Sequence, residues 1–342
     1  MKITRLQDIA EKVKVSKTAV SKVLNNIPIR ISPEKRNSII HTAKKLNYRP
    51  NIIAKSLRDK TTKTIGIVVP DMSTHFYPEI IKSIETRLSS FGYQTIICNS
   101  EDNADKEKDC IENLLNRIID ALVLVPAGGN GNIKYLQNIH KSSLPFILID
   151  RYFTGEAFRY VAADNYEGAK KAAEMLIKNG VKTFYYLGSN VRNQTLDDRL
   201  AGLRAGLKEA SVEFGGANIV LCSSQRSVVK EAGIKILGND MHNACVFMES
   251  NRYTAGLLDA TKEKKLRVPD DFIIAGFDPF EPEVKTAEDF ENLKILGGPI
   301  LTIKQPIEKI GALAGEYLVS SLGSNGDNKK KWQLKLPVDM SV

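Results

Sequence analysis

Lys17, Thr18, Ser21 and Lys22 fall on one side of the segment 17–24, and their side chains are of kinds that bond nucleic acid. A lysine ammonium donates to guanine O6 and N7, and a threonine can bond a base edge or touch a thymine methyl. Ser16, Ser21 and Asn25 carry short hydrogen-bonding groups better suited to phosphate oxygens. Taken alone, such a face is an ordinary solvated helix surface. The charge distribution argues otherwise: residues 1–63 hold 16 Lys and Arg against 4 Asp and Glu, whereas residues 64–342 hold 33 against 36. The positive excess of a chain with formal charge +9 therefore sits at its head, the electrostatic footprint of a nucleic-acid-binding module on a near-neutral body.

A second set of groups stands at the carboxyl ends of apolar runs: Asp71, Asp150 with Arg151, Asp164, Ser250 with Asn251, and Asp278, with Phe76 and Tyr77 just after the first run. Carboxylates that accept two hydroxyl hydrogen bonds, beside an aromatic face for the C–H side of a ring, suit a sugar or nucleoside. Any single aspartate is as readily a helix cap or turn residue, and Asp164 reads as one.

These groups need elements to hold them. Leu6, Ile9, Ala10 and Val13 mark one face of a short helix, and Ser16 can cap a second that carries Ala19, Val20, Val23 and Leu24. Ala10 permits a close crossing and Val15, Val20 and Val23 fill the angle, which makes a helix-turn-helix whose second helix enters the DNA major groove. Ser32 as cap and Pro33 at the first helical position open a third helix with Ile39, Ile40, Ala43 and Leu46 as its buried stripe. Beyond Pro50, Asn51 can cap Ile52–Arg58, where Ile53 and Leu57 share a face. Isolated helices under about 12 residues are marginal in water. This one would form only with support, for instance against a second copy on DNA with Leu57 wedged between base steps of the minor groove; the alternative is a plain linker. From residue 64 the runs TIGIVV, QTIIC, ALVLV, FILID, FYYLG, NIVLC, ACVFM and FIIAGF alternate with helical stretches such as Glu79–Phe91, Asn165–Asn179 and Asp198–Ala210. Strands without polar alternation, spaced by helices, predict parallel sheets covered on both faces. A break near Ala163–Tyr166 divides the runs four and four, predicting two α/β lobes with ligand chemistry beyond the strands' carboxyl ends.

The stretch LQDIAEKVKVSKTAVSKVLN, followed by ISPEKR, LNYRPNIIAKSL, TIGIVVPD, FILIDRY, VAADNYEGA, DDRLAGLRAGL, IIAGFD and LTIKQP, resembles the lactose-repressor (LacI/GalR) family of bacterial transcription regulators over its whole length. The resemblance implies a small all-α helix-turn-helix DNA-binding domain plus an α/β two-lobed, periplasmic-binding-protein-like effector domain with parallel sheets. It implies a homodimer on a pseudo-palindromic double-stranded DNA operator, with Lys17, Thr18 and Lys22 at base-reading positions and Leu57 at the wedge. Asp150, Arg199 and Asp278 match effector-contacting positions, Phe76 lies on the first-lobe wall, and Ser250 and Asn251 stand where many relatives have Asn-Asp. Lys14 stands where the helix-helix turn commonly has glycine, and the usual aromatic is not evident around Ser223–Val229. The expected division is a headpiece at 1–50, a hinge helix and linker at 51–63, and a core at 64–342. Within that core the N-lobe takes about 64–163 and 305–325, and the C-lobe about 164–304 and 326–342. Arg199 and Arg192 are the well-placed cations against several carboxylates, which favours a neutral pentose or hexose over a sugar phosphate.

Composition and missing motifs narrow the function. With 342 residues, 42% hydrophobic and 26% charged, the chain reads as folded and globular. No apolar run reaches 18 residues and the amino-terminal segment is charged, so neither a membrane span nor export is expected. Four scattered cysteines suit a reducing cytosol. PAGGNGNI is neither G-x-G-x-x-G nor a P-loop, His41, His75, His140 and His242 lack metal spacing, and no G-x-S-x-G elbow is present. No enzyme activity, metal or cofactor is expected. WQLKLPV reads as a last edge strand, with no leucine heptads after it for a tetramerising coiled coil. The expectation is a cytoplasmic, nucleoid-associated repressor of carbohydrate-utilisation genes controlled by a sugar or sugar derivative; the alternative, a solute-binding protein, has no use for residues 1–63.

Overall fold

A computed structural model describes residues 4–48, 61–73, 75–129, 131–142, 144–238, 241–278, 300–323 and 332–341. The chain divides between Thr62 and Lys63 into two units.

In the first unit, α1 (Leu6–Val13), α2 (Lys17–Leu24) and α3 (Pro33–Lys45) surround a core of Ile9, Ala10, Val13, Val20, Val23, Ile39 and Ala43. Ser16 Oγ accepts the Ala19 N–H at 3.1 Å and Ser32 Oγ accepts that of Lys35 at 3.3 Å, so α2 and α3 each start where a hydroxyl satisfies an orphan donor. The turn after α1 passes through Lys14 at φ 57° and ψ 53°. That left-handed conformation costs a residue bearing a Cβ about 1 kcal/mol. The turn is closed from both sides: Val15 N–H donates to the Ala10 carbonyl and Lys35 Nζ donates to that of Val13 at 3.0 Å. Ile40 does not join the expected buried stripe. Ile39, Ala43 and Leu46 recur at helical spacing on the inner face, and Ile40, about 100° further round, stays 37% exposed. The segment 51–58, with Asn51 and Leu57, lies outside the described residues.

The second unit carries two six-stranded sheets. The N-lobe sheet holds β1 (Thr64–Val69), β2 (Gln94–Asn99), β3 (Ala121–Leu124), β4 (Phe146–Ile149), β5 (Tyr160–Ala163) and β11 (Gln333–Leu336) in the order β11-β5-β4-β3-β1-β2, all parallel. The C-lobe sheet holds β6 (Thr183–Ser189), β7 (Ile219–Cys222), β8 (Ala244–Met248), β9 (Phe272–Phe277), β10 (Leu301–Lys304) and β12 (Asp339–Ser341) in the order β12-β10-β9-β8-β6-β7. It is parallel except that β12 runs antiparallel to β10. The N-lobe helices are α4 (Phe76–Ser89), α5 (Ala104–Asn116) and α6 (Ile133–Lys141). The C-lobe helices are α7 (Asn165–Lys178), α8 (Gln194–Glu209), α9 (Arg226–Ile236) and α10 (Thr254–Glu263), and α11 (Ile307–Leu322) returns to pack on α4. Each sheet separates two apolar clusters, which is why its central strands are apolar on both faces.

Four strands lie beyond the eight apolar runs. β5 and β10 hold only two large apolar residues each and carry little signal, and β11 and β12 alternate polar with apolar residues as edge strands do. Contrary to the expected division, 326–342 does not belong wholly to the C-lobe. Gln333–Leu336 pairs with Tyr160–Ala163 and so closes the outer edge of the N-lobe sheet, with Trp332 packed edge-on to Tyr317 at 5.2 Å. Only β12 joins the C-lobe. Between β10 and α11 the chain recrosses at Gln305–Pro306. α8 lies so close on α7 that a Cβ on Gly202 would stand 2.1 Å from the Tyr166 carbonyl oxygen. Among the described residues no helix is long and apolar enough to cross a membrane.

Candidate functional site

In the first unit, Lys17 and Thr18 are exposed in the first turn of α2, and Ser21 and Lys22 stand half-buried one turn on. The face exists because Val20 and Val23 are fully committed to the core, leaving the opposite side polar. Ser16 and Asn25 mark the ends of the helix. Ser16 serves as its cap, and Asn25 turns its amide back, Nδ2 donating to the Ser21 carbonyl at 2.8 Å.

In the second unit the two lobes present matching carboxylates. Asp150 follows β4 and Asp278 follows β9, at φ 62° and 67°, a left-handed conformation that aspartate tolerates better than most residues. Each is pinned by its backbone, Asp150 N–H donating to the Val161 carbonyl and Asp278 N–H to that of Ile303. Arg199, on α8 and only 4% exposed, acts electrostatically on both carboxylates. Its Nε donates to Asn165 Oδ1 and its Nη1 to the Glu249 carbonyl, each at 2.8 Å, and its guanidinium lies 4.0 Å over the Phe277 ring. Such a held fork is oriented before any ligand arrives. Burial pushes the carboxyls of Asp150 and Asp278 above the usual carboxylate range, against the opposing pull of Arg151 and Arg199 on the first and of Arg199 on the second.

Two further side chains complete this group. Tyr77 donates its hydroxyl to Asp150 Oδ2 at 3.1 Å, and Gln305 donates Nε2 to both oxygens of Asp278 at 3.0 and 3.2 Å. Gln305 Oε1 is buried with no hydrogen-bond partner among the described residues. An orphaned buried acceptor costs about 1–3 kcal/mol, which a donated ligand hydroxyl would relieve. The sequence pattern marks neither residue as a contact, although LTIKQP contains Gln305 and Tyr77 stands beside Phe76. Phe76 itself is half-buried and sits edge-on to the Tyr77 ring at 5.1 Å, so the tyrosine makes the polar contact. Ser250 and Asn251 are half-buried just after β8, and the bond that reaches Arg199 comes from the Glu249 carbonyl before them. Asp164 caps α7, accepting the Glu167 N–H at 3.2 Å.

Contacts between the lobes frame the group. Thr195 Oγ1 donates to the Asp150 carbonyl at 2.8 Å, Gly129 N–H donates to the Arg192 carbonyl at 3.1 Å, and Arg252 Nη2 stands 3.3 Å from Asp71 Oδ2. Asp71 Oδ1 also closes a turn by accepting from Ser73 N–H and Oγ. The remaining cations here are already held by protein oxygens: Arg192 by Glu249 and Asp197, and Arg151 by Asp102 and the Pro126 carbonyl. The arrangement presents ionisable acceptors and a fixed fork of donors, which is chemistry for holding a polyhydroxylated ligand.

Comparison with known proteins bears on both units. Residues 5–51 match the model for bacterial regulatory proteins of the lacI family, and residues 65–289 match that for a periplasmic binding protein domain. The chain is 28% identical over 329 residues to the HTH-type transcriptional regulator RegA of Clostridium saccharobutylicum, covering 96% of this chain and 94% of that protein. It is 28% identical over 322 residues to the ribose operon repressor of Halalkalibacterium halodurans, covering 94% and 91%. Among solved structures, the lac repressor dimer bound to operator and the anti-inducer ONPF matches with a TM-score of 0.83 at 19% identity, over 99% of this chain and 98% of that one.

Proposed function

Because the chain belongs to the lacI family of bacterial regulatory proteins, we infer that it is a ligand-responsive, sequence-specific DNA-binding transcription regulator rather than a solute-binding protein. One observation carries this: a single chain holds a basic helix-turn-helix face and, in a separate unit, a buried polar site shared by two lobes. The family is one of DNA-binding regulators. We assign the protein as a repressor of carbohydrate-utilisation genes that binds a pseudo-palindromic operator as a homodimer, with Lys17, Thr18 and Lys22 reading bases. Asp150, Arg199, Asp278 and Gln305 hold the effector. A neutral pentose or hexose fits best, because the arginines around the site already have carboxylate or carbonyl partners while Asp150, Asp278 and Gln305 offer acceptors. Control is by population shift: the effector binds the lobe arrangements with different affinity and so biases the hinge segments. A coupling of about 1–3 kcal/mol changes operator affinity roughly 5- to 150-fold.

The test is recovery and sequencing of source-genome fragments bound by the full-length protein at about 0.15 M salt, where non-specific binding is weak. A shared pseudo-palindrome is expected, and only diffuse, salt-sensitive binding would refute a sequence-reading head. On that operator, Lys17→Ala should change which bases are preferred, with about 1–3 kcal/mol of discrimination lost at one position. Uniform weakening on every sequence would make Lys17 a phosphate contact instead.

The raised carboxyls predict a pH dependence. Ligand hydroxyls donate best to ionised carboxylates, so affinity for ribose and other neutral sugars should fall as pH drops through the raised values of Asp150 and Asp278. The loss should therefore begin above the ordinary carboxylate range. Stability of the ligand-free core has the opposite sign. These groups bind protons more tightly folded than unfolded, so their contribution is present below the unfolded value and lost as pH rises through the folded one. Calorimetric titration and thermal unfolding across pH check both, and a pH-independent affinity would remove these carboxylates from the site.

A further inference from the structure

Two of the four cysteines meet away from the groups described so far. Cys98 lies on β2, at the edge of the N-lobe sheet, and Cys110 lies on α5, which packs across β1 and β2. Both side chains pack against the same apolar cluster, on the face of the sheet that α5 covers. Cys110 Sγ also stands 3.9 Å from the carbonyl oxygen of Asn99, the neighbour of Cys98. Both side chains are partly exposed, so a small oxidant can reach them, whereas Cys245 is wholly buried. We propose that Cys98 and Cys110 form an oxidative modification site, which a peroxide converts to an intramolecular disulfide.

The chemistry balances with hydrogen peroxide as the oxidant. One thiol ionises, its thiolate attacks a peroxide oxygen, the O–O bond breaks, and the sulfur is left as a sulfenic acid while the other oxygen departs as hydroxide, which takes up the thiol's proton as water. The second thiolate then attacks that sulfur, the S–O bond breaks, and the departing hydroxide takes up a proton as a second water. Two thiols are oxidised and one peroxide is reduced. Burial pushes the Cys110 thiol up, with the Cys98 sulfur adding to the effect. Since the thiolate is the reactive form, the reaction should be slow at neutral pH and faster as pH rises.

The position of the pair gives the bond a structural reach. A Cys98–Cys110 disulfide closes a ring around 99–109, which includes Asp102 and Glu107. Asp102 accepts the Gly128 N–H and pairs with Arg151, and the buried Glu107 carboxylate accepts from Ala127 N–H and Asn132 Nδ2. Those bonds hold the loop whose Gly129 meets the other lobe. The ring therefore braces the N-lobe rim of the site.

The experiment exposes the full-length protein to hydrogen peroxide, blocks remaining thiols with an alkylating reagent, and reads intact mass, mapped peptides and amide exchange. The expected product has lost two hydrogens, carries a peptide linking Cys98 to Cys110, and reverts with dithiothreitol. Cys222 and Cys245 should stay blockable or unreacted as before. Cys98→Ser and Cys110→Ser should each abolish the product, with Cys98→Ala and Cys110→Ala used if a serine at these half-apolar positions impairs folding. Amide exchange over 99–109 should slow in the oxidised form only. The proposal is overturned if both cysteines remain blockable, oxidise separately to sulfinic acids, or link to other cysteines or other chains. Unchanged exchange in a verified disulfide form would overturn the bracing.

Discussion

Arg199→Ala should abolish the effector response and lower the stability of the core by about 3–5 kcal/mol, the range for removing one partner of a buried charge cluster. The side chain is buried, and its loss leaves the Asn165 amide oxygen and the Glu249 carbonyl without their donor. It also removes the cation that opposes burial at Asp150 and Asp278, so both carboxyls should move further up and the pH window of effector binding should move with them. Arg199→Lys separates the contributions. A lysine restores a positive charge but not the planar fork, so stability should recover more than effector affinity does. Urea unfolding gives the first quantity, and operator titration with and without sugar gives the second. An alanine variant that still releases operator normally would take Arg199 out of the site.

Gly202→Ala should cost about 3 kcal/mol, near the upper end for overpacking. The added Cβ would stand 2.1 Å from the Tyr166 carbonyl oxygen and 2.9 Å from its carbonyl carbon, and backbone cannot rotate away as a side chain can. α8 must move off α7, and because α8 carries Arg199 while α7 begins at Asn165, the displacement pulls apart the bond between them. Effector affinity should therefore fall together with melting temperature. Gly215→Ala serves as the control, since nothing lies within 4 Å of its added carbon. Equal stability of the two variants would show that the helices separate at little cost.

The sequence disclosed most where the physics is local. Caps at Ser16 and Ser32, the apolar spacing of α1 and α2, and the apolar runs of β1, β3, β4, β8 and β9 are set by neighbours a few residues apart. Ile40 was misplaced because two adjacent isoleucines fit a stripe equally well until the partner helices choose one. The carboxylates at strand ends were legible from position alone. Gln305 was not, because its importance lies in a contact with Asp278, which follows a different strand, and in an orphan acceptor that only burial makes significant. Tyr77 was overshadowed by Phe76 because a helix start does not reveal which of two neighbouring rings turns inward. β11 and β12 escaped assignment to separate lobes because edge strands so short take their place from the open ladder that they meet, not from their own residues.

The same two strands bear on how the protein is made. β5 and β10 each keep an unpaired ladder edge until Gln333–Leu336 and Asp339–Ser341 arrive, and those segments follow every other strand of the two sheets in chain order. The headpiece, whose core closes within its own segment, can finish folding while the rest is still being translated. The two lobes have no such independence: a nascent chain that has released everything up to Gly323 still owes a strand to both, so neither sheet is complete much before the other.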